Sequence, residues 1–274
     1  MPDKLPSSIV LVGAGKMGQA MLVGWLALGL DPACITAIDP GLDNAGRARL
    51  AKEGVRLVAG PKGLAPPQVL VLAIKPQMLD AAASGLIQLI GNTTFILSIL
   101  AGKRISDLAS RLGGSPPIVR AMPNTPAAVG RGISAAVTGP KVTEAQRETA
   151  HALLGAIGRV EWVDNEALID AVTAVSGSGP AYVFLLAECM AAAGAEVGLP
   201  PDLAMRLARA TVEGAGELLF REPDLEAATL RRNVTSPAGT TAAALDVLMA
   251  EEGLAPLIKR AVAAAARRAG ELAG

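Results

Sequence analysis

The chain has 274 residues with 25 basic and 25 acidic side chains, so its formal net charge is zero and a nucleic-acid-binding surface is not expected. Hydrophobic residues make up 51% and aromatic residues 2%, so the core of one or two domains must come from Ala, Leu, Val and Ile. Residues 1–6 show no signal-peptide pattern and no apolar run approaches the ~20 residues of a membrane span, so we expect a cytoplasmic chain without membrane contact.

The first predicted strand, residues 8–12, runs directly into the sequence Gly13-Ala-Gly-Lys-Met-Gly18. A strand, a G-x-G-x-x-G turn and a following helix together form a dinucleotide-binding fingerprint. Gly13 permits the tight turn, Gly15 lets the backbone approach a pyrophosphate, and Gly18 lets the helix pack against the strand. The helix N-terminus then offers free N–H groups and its positive dipole end to the phosphates.

The rest of the first half alternates short apolar runs with helical patterns. Further strands are predicted at 35–39, 69–74, 94–99, 118–122 and 133–137. Helices are predicted near 17–29, 43–53, 77–90, 104–112 and 143–157. This order is typical of an α/β domain with a doubly wound parallel sheet, so residues 1–164 are predicted to form a Rossmann-like dinucleotide-binding domain.

The character of the sequence changes near residue 164, since almost no strand pattern follows. Helices are predicted at 166–175, 181–197, 200–220, 240–251 and 254–272. Gly194, Gly214 and Gly216 lie inside these helices, where glycine costs up to ~1 kcal/mol relative to alanine. Close helix–helix approach, within the chain or between subunits, is the expected compensation. Residues 165–274 are therefore predicted to form a second, all-helical domain.

Asp39 ends the second predicted strand. An acidic residue at this place bonds the ribose hydroxyls of NAD and repels a 2′-phosphate, so Asp39 favours NADH over NADPH. The alternative is a turn aspartate before Pro40-Gly41. Arg47 and Arg49 follow in the next helix, where they fit a solvated face, although either is long enough to reach a 2′-phosphate.

Two further turns follow predicted strands. In Ala73-Ile-Lys-Pro76, Pro76 forces Lys75 out of the helical region, so Lys75 contacts cofactor or substrate or is simply solvated. In Arg120-Ala-Met-Pro-Asn-Thr-Pro126, two prolines fix the turn, and Asn124 and Thr125 supply polar groups. Carboxyl ends of parallel strands face the ligand crevice in this fold, so the second turn is expected to line the nicotinamide side.

Two loops of small residues precede helices in the second half. They are Ser176-Gly-Ser-Gly-Pro180 and Asn233-Val-Thr-Ser-Pro-Ala-Gly-Thr-Thr241. Free N–H groups and hydroxyls at a helix start can hold an anion, so the pair indicates a small carboxylate substrate. The alternative is that both are ordinary N-caps, since Ser and Thr are common caps.

Acid–base side chains are scarce. The single histidine, His151, is predicted to lie on the surface, and the single tyrosine, Tyr182, in the core. Reduction of a ketone needs a general acid near the oxygen, whereas an imine can enter already protonated. An imine substrate therefore suits this chain better. The two cysteines, Cys34 and Cys189, have no metal-ligand spacing, so no metal site is expected.

Five segments can be matched together: Gly13-Ala-Gly-Lys-Met-Gly18, Ala73-Ile-Lys-Pro76, Arg120-Ala-Met-Pro-Asn-Thr-Pro126, Ala174-Val-Ser-Gly-Ser-Gly-Pro-Ala-Tyr-Val-Phe184 and Val234-Thr-Ser-Pro-Ala-Gly-Thr-Thr241. In this order and spacing the chain resembles the pyrroline-5-carboxylate reductases over essentially its whole length. The last two segments are specific, whereas the glycine fingerprint is shared with many dehydrogenases.

The resemblance implies that Δ1-pyrroline-5-carboxylate is reduced to L-proline with NAD(P)H, the last step of proline biosynthesis. It implies a homodimer built by the helical domain, or a homodecamer of five dimers, with the cyclic imine carboxylate at the dimer interface. Substrate contacts are implied for Glu166, Ser176, Ser178, Gly179, Gly239, Thr240 and Thr241, the last as the catalytic residue near the ring nitrogen. Cofactor contacts are implied for Gly13, Gly15, Lys16, Met17, Gly18, Asp39, Ala73, Lys75, Pro76, Ile99, Leu100, Ala101 and Asn233.

Two positions depart from the family pattern. Many members carry Ser, Asn or Arg at the end of the second strand and use NADPH, so Asp39 leaves the choice between NADH and NADPH open. Ala238 stands where many members have glycine, which is tolerated if its φ is negative.

Two other functions fit parts of the sequence less well. A β-hydroxyacid dehydrogenase has a similar domain order but needs a catalytic lysine in its second half, and residues 165–258 contain none. A non-catalytic nucleotide-binding or sensor subunit would not need the two carboxylate loops.

Overall fold

The computed structural model describes residues 5–273; residues 1–4 and 274, which belong to the predicted domains, lie outside the described part. The strands are β1 (Ile9–Val12), β2 (Ile35–Ile38), β3 (Arg56–Val58), β4 (Val69–Leu72), β5 (Phe95–Ser98), β6 (Ile118–Met122), β7 (Gly132–Thr138) and β8 (Gly158–Trp162). The first six helices are α1 (Lys16–Ala27), α2 (Asn44–Lys52), α3 (Leu79–Leu86), α4 (Ile105–Arg111), α5 (Glu144–Gly155) and α6 (Leu168–Val172). The others are α7 (Gly179–Glu196), α8 (Pro201–Arg221), α9 (Ala227–Asn233), α10 (Thr240–Leu248) and α11 (Leu254–Ala273).

The strands form one sheet in the order β3-β2-β1-β4-β5-β6-β7-β8, which confirms the predicted α/β class. All neighbouring pairs are parallel except β6 and β7, which are antiparallel. Only residues 123–131 join β6 to β7, which is too short for the crossover that a parallel pair needs. The chain order reverses between β1 and β4, which is where open α/β sheets bind ligands.

Alternate residues of the central strands fill two separate cores, one on each face of the sheet. On one face Leu11 and Val71 pack with the α1 residues Met21 and Trp25, and the Trp25 indole N–H donates to the carbonyl of Leu153 at 2.9 Å. The opposite core contains the other strand residues together with α3 and α4. Burial on both faces explains why these strands are continuously apolar.

Three elements were missed from the sequence: β3, β8 and α9. The strand β3 has only three residues and is half exposed, while β8, Gly-Arg-Val-Glu-Trp, alternates polar and apolar residues at the sheet edge. The seven-residue α9 is short and has no buried residue. The single helix predicted at 77–90 is also interrupted, because a 3₁₀ turn precedes and another follows α3.

By internal contacts the chain divides into two units, Met1–Gly177 with Ala266–Gly274, and Ser178–Ala265. This division differs from the predicted boundary at 164/165. The reason lies in α6, where Ile169 is 1% exposed and packs with Ala135 and Val137 of β7. The end of α11 also belongs to the first unit, since a Cβ at Gly102 would lie 2.8 Å from the Leu272 carbonyl oxygen.

The second unit is helical, as predicted. Gly194 of α7 faces Ala204 of α8, where an added Cβ would lie 3.3 Å from the alanine methyl group, so this glycine serves the expected close approach. By contrast, a Cβ on Gly214 or Gly216 would meet nothing within 4 Å in this chain.

Large apolar side chains of the second unit remain at the surface of the single chain. Phe184 and Leu185 on α7 are 64% and 57% exposed, and Val247 on α10 is 72% exposed. Among residues 5–273, one continuous helical stretch, Leu168–Glu196, is long and apolar enough to cross a membrane by length and composition alone. Exposed apolar side chains that cluster on one surface mark a contact surface for another protein or a membrane.

Candidate active site

The turn after β1 is shaped by two glycines that cannot be replaced without a clash. Gly13 has a φ of +95°, and its N–H donates to the Ile38 carbonyl at 2.9 Å. A Cβ at Gly13 would lie 2.6 Å from the Ala73 carbonyl oxygen, and one at Gly18 would lie 2.3 Å from the Gly13 carbonyl oxygen. The fold itself therefore demands the first and third glycines of the fingerprint.

Gly15 differs from its two partners, because the fold does not demand it. It is the N-cap of α1 with a φ of −67°, and an added Cβ would meet nothing within 4 Å. The space above it is open, Lys16 is exposed and Met17 is half-buried in the first helical turn. An open backbone cradle at a helix N-terminus fits the pyrophosphate of a dinucleotide.

Asp39 lies directly after β2 and is tied to the glycine turn. Its Oδ2 accepts the backbone N–H of Ala14 at 2.9 Å, and its Oδ1 accepts the N–H of Gly41 at 3.0 Å. The bond to Gly41 is the contact expected of a turn aspartate, which was the alternative to ribose binding. An ionised carboxylate has about four acceptor positions, so two bonds leave capacity for ribose hydroxyls.

Arg47 does not extend freely from the face of α2. Its Nε donates to the Leu42 carbonyl at 2.8 Å and its Nη2 to the Pro40 carbonyl at 3.0 Å, so the guanidinium lies against the loop that follows Asp39. Arg49 instead donates to Oε1 of Gln19 on α1 at 3.3 Å. Both arginines are exposed, as expected for a solvated face, but each of them also has hydrogen-bond partners in the protein.

The carboxyl end of β4 lies beside that of β1, and the carboxyl end of β5 lies beside that of β4, because these neighbouring strands are parallel. After β4, the N–H of half-buried Ala73 donates to the Val12 carbonyl, and exposed Lys75 has an extended ψ of 140° before Pro76, as predicted. After β5, Ile99 is half-buried, Leu100 is buried and Ala101 is exposed. The structure therefore places the predicted cofactor residues of the first unit at the carboxyl ends of the parallel strands.

A buried ion pair joins the end of the sheet to the segment before α6. The Arg120 side chain is 3% exposed, and its Nη1 lies 2.9 Å from Oε1 of Glu166, whose side chain is 27% exposed. The same Oε1 accepts the N–H of Ile105 at 2.8 Å, and Asp170 lies 4.0 Å from the guanidinium. Glu166, predicted as a substrate residue, thus has two protein partners in this chain. Sequence reasoning missed Arg120 as its partner.

The first small-residue loop begins in a π-helix, Thr173–Gly177, and leads into α7. The Ser176 hydroxyl donates to the Val172 carbonyl at 3.0 Å. Ser178 is the N-cap of α7 but makes no side-chain capping bond, and Gly179 has nothing within 4 Å of an added Cβ. An ordinary N-cap therefore does not explain this serine.

The second loop connects α9 to α10 within the helical unit. Asn233 ends α9 and is exposed, Gly239 is the N-cap of α10, and Thr240 and Thr241 form its first turn, exposed and half-buried respectively. A Cβ at Gly239 would lie 2.3 Å from Oγ of Ser236, so the loop packs tightly on itself. Ala238 has a φ of +56°, so the negative φ on which its tolerance depended is not found.

The two other acid–base candidates lie elsewhere. His151 is exposed on α5, as predicted, and its Nδ1 accepts the indole N–H of Trp162 at 3.2 Å. Tyr182 on α7 is half-buried rather than part of a core, because few residues of the single helical unit cover that helix. Among residues 5–273, no three His, Cys, Asp or Glu side chains are grouped as metal ligands.

Comparison with known proteins places these features in a family. A family model described as pyrroline-5-carboxylate reductase dimerisation matches residues 166–272, and one described as NADP oxidoreductase, coenzyme F420-dependent, matches residues 8–102. A pyrroline-5-carboxylate reductase of Pseudomonas aeruginosa is 42% identical over 97% of this chain and 96% of its own length.

Solved structures agree with the sequence relatives. A pyrroline-5-carboxylate reductase of Coxiella burnetii has a TM-score of 0.90 at 34% identity, covering 98% of this chain and 99% of its own. A pyrroline carboxylate reductase of Plasmodium falciparum with NADP bound has a TM-score of 0.81 at 25% identity, covering 97% and 98%. Because these relatives and the dimerisation-family model match nearly the whole chain and its helical half respectively, the chain belongs to the pyrroline-5-carboxylate reductase family.

Proposed function

We propose that this chain reduces the C=N bond of Δ1-pyrroline-5-carboxylate to give L-proline, the last step of proline biosynthesis. The observation that carries the proposal is the open cradle at Gly15 in a chain whose relatives, matched over nearly their whole length, are named for this activity. When bound, NADH or NADPH supplies the hydride that adds to the imine carbon. The β-hydroxyacid alternative fits less well, because residues 165–258 lack its lysine.

The chain's own residues bind and orient the reactants. The N–H groups at the start of α1, around Gly15, Lys16 and Met17, face the pyrophosphate, with Gly13 and Gly18 fixing the turn. Cofactor contacts are proposed for Ala73, Lys75, Pro76, Ile99, Leu100 and Ala101 of the first unit, and for Asn233 because the family resemblance implies it. A protonated imine carries its own proton, so hydride addition neutralises its charge and no proton donor need be aimed at an oxyanion.

The substrate carboxylate is held by the starts of α7 and α10. Ser178 and Gly179 supply a hydroxyl and an uncovered backbone at one helix N-terminus, and Thr240 supplies a hydroxyl next to the N-cap Gly239 at the other. Thr241, in the first turn of α10, places its hydroxyl near the ring nitrogen. Ser176 and Glu166 are proposed as further substrate contacts, as the family resemblance implies.

NADH is the proposed preferred cofactor. Asp39 offers acceptor positions to ribose hydroxyls, and its negative charge beside the glycine turn opposes a 2′-phosphate. Arg47 works in the opposite direction, because its guanidinium lies against the same loop. The pair supports binding of both cofactors with a preference set by Asp39.

A homodimer through the helical unit is the proposed minimum assembly, with a decamer of five dimers as the larger form. The exposed apolar side chains of α7 and α10, and the uncovered Gly214 and Gly216, support helix contacts between subunits. The apolar stretch Leu168–Glu196 is then covered by protein, and we propose a cytoplasmic enzyme without membrane or nucleic-acid partners.

Oxidation of NADH and NADPH with pyrroline-5-carboxylate, followed by cofactor reduction with a β-hydroxyacid, tests the function. Turnover of the imine alone supports it, turnover of the hydroxyacid alone overturns it, and no turnover with either indicates a binding protein. Thr241→Ala is expected to lower kcat/KM at least tenfold with the dimer intact, while Thr93→Ala in an exposed turn leaves it unchanged. Equal kinetics of the two variants would contradict the role of Thr241.

A further inference from the structure

We propose that Asn124 is a positioning residue that holds the first half of the substrate loop against the cofactor-binding sheet. This rests on the proposed function, because it concerns how that same site is assembled. Asn124 follows β6, and the π-helix Thr173–Gly177 begins the loop that continues into Ser178 and Gly179. The two segments are separated by about fifty residues in sequence but are joined by the Asn124 side chain, whose contact spans 52 positions.

Both ends of the Asn124 amide have protein partners. Its Nδ2 donates to the Ser176 carbonyl at 3.1 Å, and its Oδ1 accepts the N–H of Ile133 at the start of β7 at 2.9 Å. One partner is an acceptor and the other a donor, so only one orientation of the amide satisfies both. The residue is 9% exposed, so water replaces neither bond easily.

The neighbouring residues show that this contact is a tight one. A Cβ at Gly177 would lie 3.0 Å from Cε of Met122, the last residue of β6. The backbone of Asn124 also accepts the N–H of Ala127, which fixes the turn that presents its side chain. The π-helical form of residues 173–177 is uncommon and frequent at functional sites.

The consequence is a division of roles within the turn after β6. Both amide atoms of Asn124 bond protein groups, so we infer that it acts through the backbone of Ser176 and not by touching a reactant. A shift of the loop by 1 Å is enough to cost about a hundredfold in rate when the reacting atoms must align. Loss of the Asn124 bond is therefore expected to lower catalysis while cofactor binding stays unchanged.

Asn124→Asp tests the donor specifically. The introduced carboxylate still accepts the Ile133 N–H, but it faces the Ser176 carbonyl without a hydrogen to donate. Burial raises the pKa of such a carboxyl above its ordinary value, and the protonated form can donate again. We expect kcat/KM for the imine to fall about 10- to 100-fold at pH 8 and to recover towards wild type as the pH falls.

The controls separate this effect from charge and from general titration. Asn92→Asp adds the same charge in an exposed turn, and every value is divided by the wild-type value at the same pH, which removes titration of the substrate. The charged side chains on the contacting segments, Arg120, Arg131, Glu166 and Asp170, are the same in all variants. Asn124→Ala should lose activity without recovery at low pH, because it has no group to protonate.

Wild-type turnover is measured first, since its absence would overturn the proposed function and not this role. With wild type active, three results support the role of Asn124. The kcat/KM of Asn124→Asp divided by that of wild type is low at pH 8, this ratio recovers on acidification for Asn124→Asp only, and the Kd for NADH is unchanged. Unchanged kcat/KM, or a loss that is equal at every pH for Asn124→Asp and Asn124→Ala, would overturn it. If Asn124→Asp does not fold, Asn124→Ser must show the pH-independent loss, and wild-type activity in that variant would overturn the role.

Discussion

The guanidinium of Arg120 lies 2.9 Å from the carboxylate of Glu166, and this pair connects the end of β6 to the residues before α6. Arg120 is almost completely buried, so its positive charge is balanced by this partner and by the more distant Asp170. Because Glu166 also accepts the N–H of Ile105, it holds together three segments of the first unit. Glu166 therefore has a structural role in this chain, in addition to any contact that it makes with the substrate.

Glu166→Gln should weaken the fold. The glutamine can still accept hydrogen bonds but no longer balances the Arg120 charge, so the free energy of unfolding is expected to fall by about 1–2 kcal/mol. Urea denaturation at a fixed protein concentration measures this, with Glu161→Gln on the exposed face of β8 as the control. Unchanged stability together with a large loss of kcat/KM would show that the carboxylate serves the substrate first.

Gly15→Ala should separate cofactor binding from folding. Its φ of −67° suits alanine and no atom lies within 4 Å of the new methyl group, so the Tm should stay that of wild type. The methyl group occupies the space of the pyrophosphate, and the Kd for NADH should rise at least tenfold. The matched variant Gly18→Ala should unfold at a lower temperature, because its Cβ would lie 2.3 Å from the Gly13 carbonyl oxygen. If Gly15→Ala still bound NADH tightly, the pyrophosphate would not bind at Gly15, and this assignment would be wrong.

Asp39→Ser should move cofactor preference towards NADPH. Removal of the carboxylate takes away the ribose acceptor and the repulsion of a 2′-phosphate, while Arg47 remains beside the loop. The ratio of kcat/KM for NADPH to that for NADH is expected to rise at least tenfold. Asp43→Ser is the matched control, since it removes the same charge and retains an N-cap hydroxyl for α2. A wild-type enzyme that already prefers NADPH would contradict the role assigned to Asp39.

Ala238→Gly should stabilise the protein. Alanine at a φ of +56° is strained by about 1–2 kcal/mol, and glycine removes the strain at some cost in unfolded-chain entropy. A net gain of about 0.5–1 kcal/mol in the free energy of unfolding is expected. Ala243→Gly inside α10 should instead lose about 1 kcal/mol. A loss of stability at both positions would mean that the turn is not strained.

The regular features of the fold could be predicted because local patterns specify them. Buried strands such as β4 and β5 are continuous apolar runs, and the glycine turn has a distinctive spacing, so their places follow from the sequence. The strands at the edges of the sheet are harder to predict. The strand β3 is only three residues long, and β8 mixes Arg159 and Glu161 with apolar residues. A pattern of two or three alternations does not distinguish a strand from a loop.

Long-range contacts could not be predicted from one sequence. Arg120 and Glu166 are 46 positions apart, and Asn124 and Ser176 are 52 apart, so no local periodicity relates them. The division of the chain after Gly177 also depends on tertiary packing of Ile169, which reads simply as one apolar residue of a helix. The positive φ of Ala238 is likewise set by the turn around it and not by the residue type.

The most direct test of the central claim follows the hydride itself. The enzyme is incubated with Δ1-pyrroline-5-carboxylate and NADH doubly deuterated at C4 of the nicotinamide, and the product is analysed by mass spectrometry and NMR. We predict L-proline with one deuterium on the ring carbon that formed the C=N bond, in a 1:1 ratio to oxidised cofactor. Bound NADH without proline, or proline without deuterium at that carbon, would contradict the proposed function.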